Sequence, residues 1–494
     1  MKNLILTLTI LLFSATSLFA ATITVTSNAD TGAGTLRQAV TDADNGDVIV
    51  FAEDITTVYF AGMIIIDKNI TISGNATNNT IIQNAAVWTD TANKKRYFEV
   101  LSNATVTFNH LTLKDNTANC TGGAMINRGN LTLNNCTFSN NRTYDYGGAI
   151  YSEVGTLIVK NCVFNNNYAP SAGGGIFNNK GKLTVTNSSF SGNYGYNGGA
   201  INTSGENTLV SNCIFEENSS PFGSAIYNNA KTNIEKCKFK KNNSTNSSVS
   251  NSVEMTIIEC VFTENTITNN SQGVFYSSGK ATITNCAFFK NTARNTIVNN
   301  GNNAILNLIN STVAYNTAKG VQNNAGTANL HNNILVKNEG TIFKYDVENS
   351  GGQVIFSNNL IGRTNNFDGY YFGHTPLPVG EGDIIGEDPL FFDVENGDYR
   401  LQENSPAIDS GNNDYFPAEI TKDLFGNPRI SNGTIDMGAY EYQQMPTAIN
   451  TISSEKEKTI IGYYNTLGQR LSKEPTNGIY IIMYDNGTSE KKIK

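Results

Sequence analysis

Apolar and polar positions along the middle of the chain alternate in short segments that return at a fixed interval. An apolar residue, usually phenylalanine, is followed three positions later by asparagine, and the pair recurs every 23 to 26 residues. Its copies are Leu113/Asn116, Phe138/Asn141, Phe164/Asn167, Phe190/Asn193, Phe215/Asn218, Phe239/Asn242, Phe262/Asn265, Phe288/Asn291 and Val313/Asn316. Alternation with a period of two indicates β-strands, and a fixed interval indicates a repeat architecture.

Two further elements run in phase with this pair. Gly-Gly-Ala followed by an apolar residue begins at Gly122, Gly147 and Gly198, and short strands such as residues 131–133 and 157–159 precede each pair. Asparagine and glycine tolerate the left-handed backbone of sharp corners. Three strands per turn of about 25 residues predict a parallel β-helix in which like side chains stack.

The interval also separates this fold from other repeat folds. Horseshoe leucine signatures are missing, and a propeller blade needs about 40 residues. We predict an all-β, right-handed, single-stranded parallel β-helix of the pectate-lyase-like kind over residues 61–385. A small β domain is expected at the C-terminal end, and Phe138, Phe164 and Phe190 are expected in one interior column.

An amphipathic helix is predicted in the preceding segment, residues 21–60, where it would cap the first coil. Thr35 is the expected N-cap, and residues 48–51 form the expected strand after the helix. The apolar face is expected to contain Leu36, Ala39, Val40 and Ala43.

The amino-acid composition excludes other classes of protein. Of 494 residues, 39% are hydrophobic and only 15% are charged, with asparagine, threonine and serine in their place. A helical bundle would need alanine, glutamate, lysine and leucine instead. The 34 basic and 42 acidic residues give a net charge of −8, which argues against a nucleic-acid partner.

The first residues have the pattern of a secretory signal peptide. Lys2 is followed by the apolar run 4–13 and then by small residues up to Ala20. This order is typical of an export signal, and the run is too short to span a bilayer. We therefore expect residues 1–20 to be removed after Ala20, leaving an exported chain without a transmembrane span.

Seven cysteines occur, most of them two residues before a repeat phenylalanine. Export would permit disulfides, but two copies of the repeat carry Ser188 and Ser311 at the same place. No CxxC pair suggests zinc. We predict free cysteines that are buried for structural reasons: Cys120, Cys136, Cys162, Cys213, Cys237, Cys260 and Cys286.

The repeat elements resemble known sequences. Gly-Gly-Ala-Ile together with Phe-x-x-Asn over roughly residues 105–320 is similar to the repeats of polymorphic outer membrane proteins, which are β-helical surface proteins used in adhesion. Residues 30–51 resemble the leader ahead of many bacterial β-helices. The resemblance implies a role in adhesion at a cell surface.

Residues 386–442 change character, with aspartate, proline and aromatic residues replacing the asparagine-rich coils. They are similar to the choice-of-anchor Q module, which follows β-helices, and we expect them to close the second end of the rod. Their carboxylates are expected to bond loop amides or Arg429. Residues 393–398 faintly resemble a calcium loop, although an Asn-Gly turn explains them better; no cofactor is otherwise predicted.

After a linker at 443–450, residues 451–494 resemble the C-terminal sorting domain of type IX secretion substrates. The resemblance implies transit through the outer membrane of a Bacteroidetes-type bacterium, with the type IX secretion machinery as partner, and removal of the tail. The residues that carry it are Gly468, Gln469, Gly478, Ile479, Tyr480 and Lys494.

Catalytic candidates are sparse. On a β-helix, paired carboxylates would recur at the repeat interval, and Glu235 and Glu259 come nearest, as neighbours in a solvated charge ladder with Lys236. His110, His331 and His374 share no motif. We therefore predict no catalytic and no metal residues. Arg128 and Arg142 with Asp145 would suit a sugar acid, and a surface ion pair explains them equally.

Outward positions carry tyrosines instead. Tyr144 and Tyr146 are expected in the same loop as Tyr194 and Tyr196, two coils apart, with Tyr168 between them. Such a row could stack on sugars or on a partner protein, or it could pack on the loop base. The function we predict is an exported, non-enzymatic protein of adhesion or glycan and partner binding. The alternatives are a carbohydrate-active enzyme of the pectate-lyase-like class and a structural envelope component.

Overall fold

The fold is described from a computed structural model of the chain. The described residues are 20–85, 96–269, 272–339, 345–363, 377, 379–443, 459–465, 470–484 and 489–493. Two compact units divide the chain, the first ending at Tyr442 and the second beginning at Gln443. The expected signal residues before Ala20 lie outside the described residues, as does most of the predicted linker.

The first unit is a right-handed parallel β-helix, as predicted. Its three sheets run along the solenoid, and each coil adds rungs in parallel register to the coil before it. Sheet A contains Thr22–Val25, Val48–Phe51, Ile70–Ser73, Thr105–Asn109, Asn130–Asn134, Thr156–Lys160, Lys182–Thr186, Asn207–Ser211, Lys231–Glu235, Glu254–Ile258, Lys280–Thr284, Ile305–Ile309, Thr327–His331 and Gln353–Ser357. Sheet B contains Thr57–Phe60, Thr80–Asn84, Leu111–Lys114, Thr137–Ser139, Val163–Asn165, Ser189–Ser191, Ile214–Glu216, Lys238–Lys240, Val261–Thr263, Ala287–Phe289, Thr312–Ala314, Ile334–Val336, Leu360–Ile361 and Ile384–Ile385.

Sheet C carries two strands in many coils because the chain bends there at the Gly-Gly element. Its strands are Ile64–Ile66, Phe98–Val100, Thr117–Ala118, Met125–Asn127, Arg142–Thr143, Ile150–Ser152, Tyr168–Ala172, Ile176–Asn178, Tyr194–Asn197, Ile201–Thr203, Ser219–Ser220, Ile226–Asn228, Asn243–Ser244, Val249–Asn251, Thr266–Ile267, Gly273–Ser277, Thr292–Asn299, Thr317–Asn323 and Val347–Asn349. A Cβ on Gly148 would lie 2.1 Å from the carbonyl oxygen of Gly174 in the next coil. Glycine is therefore required where these coils approach.

The repeat phenylalanines form one interior column. Phe138 and Phe164 pair in register, as do Phe164 and Phe190, and all three are fully buried. From Phe138 to Phe288 neighbouring ring centroids lie 4.3 to 5.1 Å apart, with planes within 10° of parallel. The predicted stacking of like side chains is confirmed.

The repeat asparagines form a second buried column, held by hydrogen bonds. The Asn218 side-chain amide donates to Asn242 Oδ1 at 3.0 Å and to the Phe190 carbonyl at 2.9 Å, and neighbouring copies repeat this pattern. At the last described rung, Asn338 donates to Asp346 Oδ1 at 2.8 Å. Burial raises the pKa of Asp346 to about 7, against opposing hydrogen bonds from Asn338 and Arg363.

Six of the seven cysteines occupy a third column as buried free thiols, and the half-buried free thiol of Cys120 lies outside this column. The side chain at each position of this column must be small and must also form hydrogen bonds. The Cys237 sulfur accepts from the Cys213 amide at 3.4 Å and donates to the Glu235 carbonyl at 3.2 Å. The Ser188 hydroxyl accepts from the Cys162 amide in the same way, at 3.0 Å. Serine therefore substitutes for cysteine here without loss of a bond.

The predicted cap helix spans Leu36–Asp42, and Thr35 is its N-cap, with the side chain accepting from the Gln38 amide. Leu36, Ala39 and Val40 are buried, and Ala43 is also buried at the C-cap. The strands Thr22–Val25 and Val48–Phe51 on either side of the helix are the first rungs of sheet A. The segment 21–60 thus supplies part of the solenoid as well as the cap.

Residues 386–442 do not close the second end as expected; they pack along the flank of the solenoid. Phe391–Asp393 pairs antiparallel with Asp398–Leu401, and a short 3₁₀ helix spans Asn413–Tyr415. The apolar cluster beneath this flanking module contains Ala287, Ala314, Ile334, Val336 and Leu360 of sheet B with Phe391, Tyr399, Leu401, Ala407, Met437, Ala439 and Tyr440. The reason is that outward positions of sheet B turn apolar in these coils and need cover.

Corner asparagines tie the module to four successive coils. The side chains of Asn285, Asn310, Asn332 and Asn358 donate to module carbonyls at 2.8–3.1 Å. Inside the module, carboxylates bond loop amides as expected. Asp423 accepts from the Asn427 amide at 2.7 Å, Glu441 lies 3.4 Å from the Arg429 guanidinium, and Gly397 turns the 393–398 hairpin.

The second unit is an antiparallel sheet of Ile460–Asn465, Arg470–Leu471, Ile479–Tyr484 and Ser489–Ile493. Gly478 has φ +93°, which explains the glycine there, and Ile479 is 45% exposed. Tyr480 is buried and donates to Glu474 at 2.5 Å. Gly468, Gln469 and Lys494 of the expected sorting signal lie outside the described residues.

Candidate functional site

The five predicted tyrosines lie together on the outer face of sheet C, on three successive coils. Arg142 pairs with Tyr168, and Tyr168 pairs with Tyr194. Tyr144 therefore lies two residues beyond the rung that Tyr168 and Tyr194 share. Further along the loop, Tyr146 is in register with Ala172, and Ala172 is in register with Asn197, one residue beyond Tyr196.

Two of the tyrosines are ladder residues that stack on each other. The Tyr168 and Tyr194 rings stack with centroids 5.0 Å apart and planes 11° from parallel. The Arg142 guanidinium lies 4.2 Å from the centroid of Tyr168. Because both ring faces of Tyr168 are occupied, Tyr168 would contact a ligand only through its ring edge and its hydroxyl.

The other three tyrosines are exposed. Tyr144 is 63% exposed, Tyr196 is 48% exposed and Tyr146 is 39% exposed. Tyr146 leans on Phe177 with centroids 4.9 Å apart, and Tyr196 leans on Phe222 at 5.8 Å. These three side chains, the exposed tyrosine face, combine open aromatic surface with a firm aromatic base.

Further aromatic residues continue this base, and one of them, Phe177, was missed from the sequence. Tyr151 and Phe177 stack at 5.4 Å in register on neighbouring coils, and the Tyr151 hydroxyl accepts from Asn179 at 3.2 Å. Burial raises the pKa of Tyr151, so its hydroxyl stays protonated. The sequence signal was the position after the isoleucine of Gly-Gly-Ala-Ile and of its variants Gly-Gly-Gly-Ile and Gly-Ser-Ala-Ile, where Tyr151, Phe177 and Tyr227 stand.

The two arginines of this region are in contact with neighbouring side chains. Arg128 forms ion pairs with Glu99 and, at 2.6 Å, with Glu153. Arg142 lies against tyrosine rings rather than beside Asp145, and burial raises the pKa of Asp145. Arg142 therefore supports the aromatic surface, whereas Arg128 is held by two glutamates.

The expected charge ladder exists with different partners. Glu235 is in register with Ile258, so Glu235 and Glu259 are not vertical neighbours. Glu259 instead forms an ion pair with Lys236 at 3.3 Å, and both residues occupy corners with φ of 53°. The corner is a left-handed position that asparagine usually fills in this chain, which the spacing alone does not reveal.

The histidines are dispersed. His110 lies at a left-handed corner with φ of 55°, and its amide donates to the Asn134 carbonyl. His331 stacks on Tyr415 of the flanking module at 4.0 Å, and burial lowers its pKa. His374 lies outside the described residues. Across the described part of the chain, no three His, Cys, Asp or Glu side chains are grouped so as to hold a metal ion.

One buried charged pair lies further along sheet C. Lys319 forms an ion pair with Glu348 and lies 3.2 Å from Gln322 Oε1, and both charged side chains are less than 10% exposed. Burial lowers the pKa of Lys319, against the opposing effect of Glu348. No sequence motif pointed to this pair.

These features define the first unit as a parallel β-helix protein with an aromatic outer face. The chain matches the family model described as a right-handed β-helix region over residues 23–215. It is also similar to a crystal structure of pectate lyase Pel9A, with 12% identity, a TM-score of 0.39, and coverage of 86% of this chain and 96% of that one. A comparison with curated proteins finds no match. Among the helices of the described residues, none has the length and apolar character needed to cross a membrane.

Proposed function

We propose that this chain is an exported β-helix protein that binds glycans or a partner surface and does not act as an enzyme. The observation that carries the proposal is the exposed tyrosine face, Tyr144, Tyr146 and Tyr196 on sheet C. Tyrosine offers a large apolar area and a hydroxyl at a low entropic cost, since only two side-chain torsions are fixed on binding. Stacked coils beneath it supply a rigid base.

Binding tests this role directly. The triple variant Tyr144→Ala, Tyr146→Ala, Tyr196→Ala should weaken binding to a glycan array or to envelope preparations by about tenfold or more, given the usual worth of aromatic contacts. Tyr59→Ala is the matched control, because Tyr59 is 39% exposed on a distant strand of sheet B. Unchanged binding by the triple variant would count against the proposal.

Export through the outer membrane is part of the same proposal. It rests on the signal-like start, on cleavage after Ala20 and on the resemblance of the tail to a sorting domain. Intact-mass measurement of protein recovered from cell surfaces should show loss of residues 1–20 and of the C-terminal tail. Surface protein that still contains Lys494 would contradict the sorting role.

A second candidate, a polysaccharide lyase or hydrolase, is favoured by the buried Lys319–Glu348 pair. A lysine whose pKa is lowered by burial is a known kind of general base. Incubation with polyuronates, with and without Ca²⁺, tests this activity. Unsaturated products or new reducing ends that disappear in Lys319→Ala would replace the binding proposal with an enzymatic one.

A further inference from the structure

A groove lies between the flank of the solenoid and the flanking module. One wall consists of sheet B near Lys236, Lys238 and Val261, and the other is the module loop 422–426. The space between them is about 380 Å³. The groove exists because the module covers the apolar coils and its loop projects beyond them over the neighbouring polar coils.

The charges that face this groove are predominantly positive. Lys238 and Lys422 are both exposed, and neither forms an ion pair with any of the described residues. Lys236 also lines the groove and is paired with Glu259 at 3.3 Å. In a chain whose net charge is −8, this concentration of lysines is a local reversal of sign.

The carboxylates in the groove are already satisfied. Glu259 is engaged by Lys236, and its side chain is only 14% exposed. The buried Asp423 accepts hydrogen bonds from the amides of Phe425, Asn427 and Glu441. Neither carboxylate forms an ion pair with Lys238 or Lys422, so an anion from outside would meet two available ammonium groups.

An aromatic ring stands at the edge of the groove. Phe425 is 61% exposed at the tip of the loop, and the Arg400 guanidinium lies 4.5 Å from its ring centroid. Asp398 holds Arg400 in place at 2.5 Å. A supported, exposed ring beside ammonium groups suits a ligand that carries both an apolar ring face and negative charge.

We propose that this groove is a second binding site, specific for an anionic oligosaccharide. The carboxylate or sulfate groups pair with Lys238 and Lys422, and the apolar face of a sugar ring stacks on Phe425. The site is independent of the exposed tyrosine face, because it lies on sheet B and uses a different ligand chemistry. Carboxylated and sulfated chains share the chemistry that the groove recognises.

Titration calorimetry of the full chain with three octasaccharides tests the site: an oligogalacturonate, a heparin fragment and a neutral maltooligosaccharide. At least one anionic octasaccharide should bind, and the neutral one should bind weakly or not at all. The double variant Lys238→Ala with Lys422→Ala should bind the anionic octasaccharides roughly fivefold to tenfold more weakly, because this is the loss expected from the typical free energy of exposed ion pairs. Raised salt should produce a similar loss.

Matched variants show whether the two groove lysines themselves hold the anion. Lys160→Ala removes an exposed lysine of sheet A and should leave binding unchanged, while Lys238→Arg with Lys422→Arg should retain it. The triple tyrosine variant should also bind anionic octasaccharides normally. Absent anionic binding, equally tight neutral binding, an equal loss in Lys160→Ala, or a loss confined to the tyrosine variant would each overturn the groove site.

Discussion

Removal of one amide from the buried asparagine column should cost several times more than removal of a surface asparagine. Asn218 is fully buried, and its side chain makes four hydrogen bonds. It donates to the Phe190 carbonyl and to Asn242 Oδ1, and it accepts from the backbone and side-chain amides of Asn193. Asn218→Ala removes all four.

The magnitude follows from these bonds. Each buried hydrogen bond contributes about 1 kcal/mol net, and a buried donor left without an acceptor costs about 1–3 kcal/mol. The backbone amide of Asn193 is such a donor in the variant. We expect a loss of about 4 kcal/mol, which is a large share of the stability of an ordinary domain. The loss should centre on the coils that contain Asn193 and Asn242.

Urea unfolding followed by circular dichroism, with hydrogen exchange measured by mass spectrometry, checks this expectation. Repeat solenoids unfold through neighbour-coupled units, so local exchange is as informative as the midpoint. Asn233→Ala is the control, since Asn233 is exposed on a sheet A strand. It should change stability by less than about 0.5 kcal/mol. If Asn218→Ala behaved like the control, the asparagine column would not be a source of stability.

Three further results are expected. Cys237→Ser should be nearly neutral because serine keeps both bonds of the slot, whereas Cys237→Val should lower the urea midpoint; equal midpoints would contradict this. Ellman's reagent should label about one thiol of the native chain, Cys120, and all seven after unfolding; rapid labelling of more would be inconsistent with the column. Because the pKa of Asp346 is raised to about 7 in the folded state, stability should fall as pH rises from about 4 to 7. Asp346→Asn should flatten that dependence of stability on pH. An unchanged slope would mean that another titrating group causes it.

The interior columns could be predicted from the sequence because stacking repeats the same side chain at every rung. Phe138, Phe164 and Phe190 needed only their spacing to be placed. The cysteine column was predicted as a small, buried slot, while its hydrogen bonds, such as that from the Cys162 amide to Ser188, required coordinates. Interior positions are predictable because each interior side chain must pack against the same kind of side chain in the neighbouring coils.

The outer surface could be predicted only in part. The tyrosines were predicted to share one loop, but their register could not be predicted, because the pairing of these coils shifts between Ala169 and Ala172. The flanking module was misplaced because its position depends on outward residues far apart in the chain, such as Phe289, Ala314 and Val336. Their change from polar to apolar at the repeat interval was the signal that could have placed it.

The outward-facing side chains differ in chemistry from coil to coil along this β-helix, because the stacking of the interior columns does not constrain them. Exposed tyrosines occupy the coils around residues 144–196, lysines follow at 236–240, and apolar positions from Ala287 onward hold the flanking module. Each surface begins where the outward side chains change while the interior column continues unbroken. A rigid repeat thereby fixes the distance between surfaces of different chemistry, as the two proposed binding sites on one face and one flank require.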